Sequence, residues 1–233
     1  MPSITINDSD ILYEDKYLIV CRKAPGVPSQ PTPSGTSDLL TTLKEHYGAV
    51  YPVHRLDTPT GGVIIYARTS QAAAEFSRLV QDHALFQKTY LAILPSAPNP
   101  PAGTMRDLLF HDKHVNKAFV VDSKRKGAKE AVLDYETLVT ATDGHTLLRV
   151  LLHTGRTHQI RVQCASRGFP LVGDGKYGNR EKAPFAALWA SQVAFIHPFT
   201  KKPVTFQALP DTNTYPWSLF VEEIQRRSSH PNE

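Results

Sequence analysis

The amino-acid sequence predicts an α+β fold built on a large mixed, mostly antiparallel sheet with flanking helices. Apolar runs of strand length outnumber segments with helical periodicity, and no internal repeat is visible. Two of the strand-like runs flank Asp143-Gly144, a dipeptide typical of hairpin turns. The 233-residue chain is 41 % hydrophobic and 21 % charged, an ordinary globular composition that excludes a largely disordered chain.

Strands and helices alternate in the first part of the predicted fold. Continuous apolar runs such as Gly62–Tyr66 indicate buried strands, whereas apolar residues three and four positions apart indicate amphipathic helices. Thr36 or Ser37 is the expected N-terminal cap of the first helix. The elements expected here are strands at 11–13 and 17–21, a helix at 37–47, a strand at 62–66, a helix at 70–83 and a strand at 88–94.

The second part begins after a proline-rich segment at 95–101, in which four of seven residues are proline. Because proline interrupts both helices and sheets, this segment is a candidate hinge. A short helix is expected to end at Gly168. The elements expected in this part are strands at 132–140 and 145–152, a helix at 157–167, strands at 190–196 and 203–208, and a terminal helix at 216–227.

The positive charge of the chain is concentrated in one segment, 111–129. This segment holds six lysines or arginines and two aspartates, so it accounts for the whole formal net charge of +4. A mildly basic chain fits a polyanionic partner. Two interpretations of the segment stay open: a solvated loop or hairpin edge protected by lysine, or a strip that contacts phosphates.

The sequence also limits the location of the protein and its chemistry. Its apolar runs fall far short of the ~20 residues that span a bilayer, and its N-terminus lacks the basic and apolar regions of a secretion signal. We therefore expect a cytoplasmic protein without membrane association. Cys21 and Cys164 form no CxxC pair, so neither a zinc–thiolate cluster nor a disulfide framework is expected.

Two polar segments, 53–62 and 153–161, carry the residue types that active sites need. Asp57 lies in the first segment, a loop rich in Thr, Pro and Gly just before a buried strand. Such a loop lies at the rim of a sheet, where clefts form. In the second, backbone amides and Arg156 can receive a phosphate. Each segment also has a plainer interpretation, since Asp57 can cap a turn or form a salt bridge and the second segment can form a surface ion-pair cluster.

Three motifs in a fixed order carry a resemblance to a known family. They are HRLDTPTGGVIIYAR at 54–68, KTYLAIL at 88–94 and HTGRTHQIRVQCASRGFPLVGDGKYG at 153–178. Together the motifs closely resemble the RluA family of RNA pseudouridine synthases, over about residues 10–210. The resemblance implies the pseudouridine synthase fold, with two lobes and a central active-site cleft, in a single catalytic domain spanning 1–233.

The resemblance also implies roles for individual residues. Asp57 matches the catalytic aspartate, Tyr90 the residue that stacks on the target base and serves in proton transfer, and Arg161 the arginine that pairs with the aspartate. Arg55 matches the residue that helps to hold the site of the flipped-out nucleotide open. The residues expected to bind substrate are Arg55, His54, Arg156, His158, Gln159 and Lys88. The charge count of segment 111–129, and not the resemblance, suggests that Lys124, Arg125 and Lys126 contact phosphates.

The implied reaction breaks the N1–C1′ bond of a uridine, turns the uracil and joins its C5 to the same sugar carbon. Atoms and electrons are conserved, so we expect no cofactor and no metal. A carboxylate beside C1′ would attack that carbon, stabilise its oxocarbenium character or remove a sugar proton, and the residues leave these routes open. A guanidinium within ~4–6 Å favours the charged carboxylate, which is the role expected of Arg161.

The expected partner is RNA, either tRNA or large-subunit rRNA, recognised by the catalytic domain without the S4-type module that many relatives carry. No obligate protein partner is evident. The alternative is a non-catalytic protein that binds or remodels RNA on the same scaffold. Zinc-dependent hydrolysis is disfavoured because His54, His153 and His158 accompany no HExxH motif or carboxylate cluster. Glycoside hydrolysis is disfavoured because the second acid, Asp174, is expected to be a turn residue.

Overall fold

The computed structural model describes residues 4, 6–82, 84–122 and 125–229. The chain divides into two compact units, of which the first comprises Met1–Lys88 and Ala190–Ala208 and the second comprises Thr89–Trp189 and Leu209–Glu233. The strands are β1 (Ile11–Glu14), β2 (Leu18–Lys23), β3 (Tyr51–Pro52), β4 (Gly61–Ala67), β5 (Phe86–Leu94), β6 (Ala102–Asp112), β7 (Lys117–Val120), β8 (Lys129–Thr140), β9 (Thr146–Leu152), β10 (Leu188–Ile196) and β11 (Pro203–Gln207). The α-helices are α1 (Leu39–Tyr47), α2 (Ser70–Gln81), α3 (Gln159–Ser166) and α4 (Val221–Ser229), and single turns of 3₁₀ helix occupy Asp8–Asp10 and Trp217–Phe220.

The sheet of the first unit follows the strand order β1-β2-β4-β10, with β3 beside β4 and β11 beside β10. Every residue of β4 is buried, as its continuous apolar run predicts. Gly62, the second residue of this strand, has a φ of +117°, and an added Cβ would lie 2.1 Å from the carbonyl oxygen of Ala190. Only glycine allows this close approach of backbone to backbone.

Two helices of the first unit begin at side-chain caps. The carboxylate of Asp38 accepts hydrogen bonds from the backbone N–H and the hydroxyl of Thr41, at 3.0 and 2.7 Å. The prediction of Thr36 or Ser37 as the cap of α1 was therefore wrong by one or two positions. The hydroxyl of Thr69 caps α2 by accepting from the backbone N–H of Ala72 at 3.0 Å. This helix ends at Gln81, and the last residue of the predicted helix, His83, lies outside the described residues.

The second unit is built on the strand order β5-β9-β8-β6-β7. β8 and β9 form the predicted hairpin, and Gly144 in its turn has a φ of +94°. A second antiparallel hairpin, β6–β7, was not predicted, because the charged residues in β6 hide its alternation. Its outer strand β7 includes Lys117, which agrees with the interpretation of part of segment 111–129 as a hairpin edge protected by lysine.

Helical elements complete the second unit. Six of the eight residues of α3 are buried, so this short helix lies within the unit and not on its surface. The terminal helix predicted at 216–227 divides into a 3₁₀ turn and α4, and Trp217, Phe220 and Ile224 are buried there. None of the described helices is long and apolar enough to cross a membrane.

The α+β class and the mostly antiparallel sheet are thus confirmed. Each pair of strands with a described register is antiparallel, namely β1–β2, β2–β4, β3–β4, β6–β7, β6–β8, β8–β9 and β10–β11. The proline-rich segment 95–101 lies inside the second unit. A hinge at this segment, and a single catalytic domain over the whole chain, stay predictions.

Candidate active site

Asp57 lies on a loop between β3 and β4 whose backbone is fixed from both sides. Its carbonyl oxygen accepts a hydrogen bond from the backbone N–H of Thr60 at 2.9 Å, which closes a tight turn. The preceding residue, Leu56, is buried, and its N–H and C=O both bond to the hydroxyl of Ser29, at 3.1 and 2.9 Å. The hydroxyl of Tyr66 donates in turn to the carbonyl of Ser29 at 2.6 Å. The Asp57 side chain, which is half-buried, is therefore presented by a rigid backbone.

Lys23 places a buried cation behind this loop. Its Nζ donates to the carbonyl oxygens of Ala24, Val27 and Thr58, at 3.0, 2.6 and 3.2 Å. Burial lowers the pKa of Lys23 to about 7, and the negative charge of Asp57 acts in the opposite direction. The sequence interpretation did not select Lys23, although a lysine two residues after the apolar run Leu18–Cys21 was a signal of a buried charge, because alternation along a strand places it on the same face as Cys21.

Replacing Lys23 by methionine is expected to remove a pH-dependent part of the stability. The pKa of this lysine is about 7 in the fold and 10.5 as its ordinary value, so the unfolded chain binds more protons between the two. Stability therefore rises with pH across this window in the wild type. Urea unfolding at about pH 7 and about pH 10 should show a larger rise in the wild type than in Lys23→Met. An exposed lysine, Lys44→Met, serves as the control, and an equal rise in all three proteins would contradict the prediction.

His54 and Lys88 lie close together inside the first unit. The Nε2 atom of His54 accepts a hydrogen bond from the backbone N–H of Ile65 at 3.1 Å, and its ring packs edge-on to Phe86. Burial and, to a smaller extent, the charge of Lys88 together lower the pKa of His54 to about 3, so the imidazole is neutral. Burial also lowers the pKa of Lys88 to about 8. Arg55, between His54 and Asp57 in the sequence, is exposed.

Arg161 in the second unit forms a buried, bidentate ion pair with Asp174. Its Nε and Nη2 atoms lie 2.6 and 2.7 Å from the two carboxylate oxygens, and both side chains are at most 5 % exposed. The guanidinium also lies 5.2 Å from the centre of the Tyr177 ring. The carbonyl of Asp174 accepts from the backbone N–H groups of three later residues, so this residue does form a turn as predicted. Its carboxylate also pairs with Arg161, a role that the sequence interpretation missed.

The loop before α3 is held by Gln159 and His158. The side-chain oxygen of Gln159 accepts from the hydroxyl of Thr154 at 2.7 Å and from the backbone N–H of Arg156 at 3.0 Å, while its amide nitrogen donates to the carbonyl of Val132 at 3.1 Å. His158 has a φ of +54° and is buried, with Nδ1 2.9 Å from the hydroxyl of Tyr177. These two predicted substrate-binding residues thus have clear internal contacts that shape the loop.

The remaining predicted residues of the second unit differ in exposure. Tyr90 lies on β5 and is only 8 % exposed. The Nε atom of Arg156 donates to the carbonyl of Glu130 at 2.8 Å. Arg125 and Lys126 are exposed, while Lys124 lies outside the described residues.

The structure therefore places predicted residues and neighbours that were not predicted in small groups. In the first unit, Lys23 is close enough for its charge to interact with Asp57, and Lys88 lies near His54. In the second unit, Arg161 and His158 share contacts with Tyr177. The described residues contain no group of three or more His, Cys, Asp or Glu side chains that could hold a metal ion.

Comparison with known proteins gives a consistent result. The family model described as RNA pseudouridylate synthase matches residues 17–166. The chain is 32 % identical over 225 residues to tRNA pseudouridine synthase C of Vibrio cholerae, covering 85 % of this chain and 90 % of the relative. It is 28 % identical over 212 residues to the dual-specificity RNA pseudouridine synthase RluA of Haemophilus ducreyi, covering 85 % of this chain and 92 % of the relative. The solved structure of human RNA pseudouridylate synthase domain containing 4 is similar, with a TM-score of 0.69, 25 % identity and coverage of 87 % of this chain and 89 % of that chain.

Proposed function

This chain belongs to the RNA pseudouridylate synthase family and is an isomerase of the RluA type, and on this premise we propose that it converts specific uridines of tRNA or large-subunit rRNA to pseudouridine with Asp57 as the catalytic carboxylate. The observation that carries the proposal is the HRLD motif, which ends in Asp57 and lies inside the segment that matches the family model. A cytoplasmic location remains part of the same prediction.

The surroundings of Asp57 support this role. A carboxylate that acts at C1′ must be held in one position, and the hydrogen bonds of Leu56 and Thr60 fix the backbone on each side of it. It also lies near a basic group, because Lys23 is close enough for its charge to interact with that of Asp57. A protein that only binds RNA would gain nothing from a carboxylate directed at phosphates.

Tyr90, Arg161 and Arg55 complete the proposed machinery. We assign to Tyr90 the stacking on the uracil and the proton transfer, and to Arg161 the electrostatic support of the Asp57 carboxylate. Extrusion of the uridine from a folded RNA costs a few kcal/mol, and stacking on an aromatic ring recovers ~1–3 kcal/mol of it. Arg55, which is exposed, is proposed to help keep the site of the extruded nucleotide open.

The substrate is the finer part of the proposal. One relative is named for tRNA, one for the large ribosomal subunit and one for dual specificity, so both tRNA and large-subunit rRNA are candidate substrates. The test uses tRNA and rRNA that contain uridine tritiated at C5, because joining C5 to the sugar releases this tritium as water. Release from at least one RNA, together with a pseudouridine that disappears from that RNA in a deletion strain, identifies the substrate. A folded protein that binds these RNAs and releases no tritium from any of them would reject the proposed function.

The basic segment is proposed to contact phosphates of the RNA. Converting Lys124, Arg125 and Lys126 together to glutamine should weaken RNA binding and make it less dependent on salt. Each lost phosphate contact with a single strand lowers the slope of log affinity against log salt by about 0.7, so the triple variant should lose about 2. Fluorescence anisotropy across a salt series measures the slope. An unchanged slope would show that these three residues do not contact phosphates.

A further inference from the structure

A cavity of about 640 Å³ lies within the second unit, beside the β6–β7 hairpin. The end of β6 and the hairpin turn form one side of it, residues 125–129 form a second side, and the loop at 155–157 forms a third. Pockets for small ligands occupy about 300–1,000 Å³, so a nucleotide-sized group falls within the range of this cavity. Its lining includes Leu109 and Ala118, which belong to a buried core cluster. This part of the lining is consequently fixed by packing.

The charge of the cavity lining points to an anionic ligand. Four side chains of the lining are basic, namely Lys113, Arg125, Lys129 and Arg156, against one acid, Asp112. The Asp112 carboxylate accepts a hydrogen bond from the backbone N–H of His114 at 2.9 Å, which orders the hairpin turn. Phosphate oxygens are the groups that such a cluster of lysines and arginines binds best.

Two of the arginines are held in position by the fold. The guanidinium carbon of Arg125 lies 3.7 Å from the centre of the Phe110 ring, so the guanidinium is supported by an aromatic face. The Nε atom of Arg156 donates to the backbone carbonyl of Glu130, which restricts this side chain without using its Nη atoms in that bond. A guanidinium held against an aromatic ring presents its opposite face as a platform for an unpaired base.

We propose that this cavity is a subsite for one unpaired nucleotide of the substrate RNA, other than the uridine that is isomerised. The base stacks on the guanidinium plane of Arg125, whose N–H edge stays able to contact a neighbouring phosphate, and the phosphate adjoining the stacked base contacts Arg156 and Lys129. The inference rests on the proposed function for the identity of the ligand as RNA. It goes beyond the phosphate contacts expected from the sequence by assigning to Arg125 the stacking of an unpaired base in a defined cavity.

The test separates the contribution of stacking from that of charge with variants at two positions of the cavity lining. Arg125→Lys keeps the positive charge but removes the planar guanidinium, whereas Lys129→Gln removes a charge and no platform. Lys182→Gln is the matched control, because Lys182 is an exposed lysine of the same unit outside the cavity lining. Binding of a short single-stranded oligouridylate is measured by fluorescence anisotropy over a salt series.

The subsite predicts a different result for each variant. Arg125→Lys should bind about tenfold more weakly with an unchanged salt slope, since a stacked base contributes ~1–3 kcal/mol. Lys129→Gln should lower the salt slope by about 0.7, and Lys182→Gln should leave it unchanged. Wild-type affinity in Arg125→Lys, or equal slopes in Lys129→Gln and Lys182→Gln, would overturn the proposal.

Tritium release from the substrate RNA distinguishes this inference from the function on which it rests. If the wild type releases tritium while all cavity variants bind like the wild type, the subsite is wrong and the pseudouridine synthase activity stands. If Arg125→Lys and Lys129→Gln show the expected binding effects but the wild type releases no tritium, the RNA subsite stands and the proposed reaction fails. Arg125 and Lys129 are exposed, so folding of both variants is expected to be intact.

Discussion

Replacing Asp57 by asparagine should reduce tritium release from the substrate RNA by about a thousandfold or more. Asparagine has nearly the same size as aspartate, but its amide cannot attack C1′, cannot balance positive charge on that carbon and cannot accept a sugar proton. The loss should therefore appear whichever of these routes the reaction follows. Release of tritium under single-turnover conditions measures the loss directly, because the protein is then in excess over the RNA.

The same variant should still fold and bind RNA. The backbone bonds around Asp57 come from Leu56 and Thr60 and do not involve its side chain. Removing a negative charge from a surface that meets phosphates should leave RNA affinity equal to that of the wild type or stronger. Asp82→Asn is the matched control, because the carboxylate of Asp82 caps a turn by accepting from the backbone N–H of Ala84 at 3.1 Å. If Asp57→Asn and Asp82→Asn retain the same activity, Asp57 is a turn residue and not the catalytic carboxylate.

The sequence predicted the fold well wherever one element carries one clear hydrophobic pattern. The continuous apolar run of β4 and the helical spacing of α2 each gave the right element with bounds close to the observed ones. The β6–β7 hairpin was missed because half-buried and exposed residues dominate both strands. Strands of this kind owe their structure to pairing with β8 and with each other, and a pattern along one strand does not contain that information.

The loop that carries Asp57 could be predicted from the sequence, but the buried charges around the candidate site could not. The loop with Asp57 follows from its position before a buried strand. By contrast, Lys23 and Asp174 are 1 % exposed, and a charged residue in a sequence is ordinarily assigned to the surface. Burial of such groups depends on partners far along the chain, such as Thr58 for Lys23 and Arg161 for Asp174. The roles of Gln159 and His158 in shaping a loop likewise depend on residues distant in the sequence, namely Val132 and Tyr177.

Replacing Asp174 by asparagine should lower the free energy of unfolding by about 3–5 kcal/mol. The variant keeps the size of the side chain and leaves the charge of Arg161 buried without its anion. The bidentate geometry, at 2.6 and 2.7 Å, means that both carboxylate oxygens contribute to the pair. Urea unfolding measures the change. Asp10→Asn is the control, because Asp10 pairs with the exposed Arg22 and such a pair contributes at most about 1 kcal/mol.

A double variant shows whether the stability lost in Asp174→Asn comes from the unpaired charge of Arg161 or from the loss of packing around the two side chains. Arg161→Met with Asp174→Leu replaces the ion pair by apolar groups of similar volume, which is often close to neutral for stability. We therefore expect the double variant to be more stable than Asp174→Asn, with a large coupling energy between the two sites. It should nevertheless lose activity, because Arg161 is proposed to support the catalytic carboxylate.

Equal stability of Asp174→Asn and Asp10→Asn would show that the buried ion pair does not stabilise the fold more than an exposed pair does. Full activity in the double variant would instead exclude Arg161 from the reaction, since stability and catalysis would then have been separated at one residue.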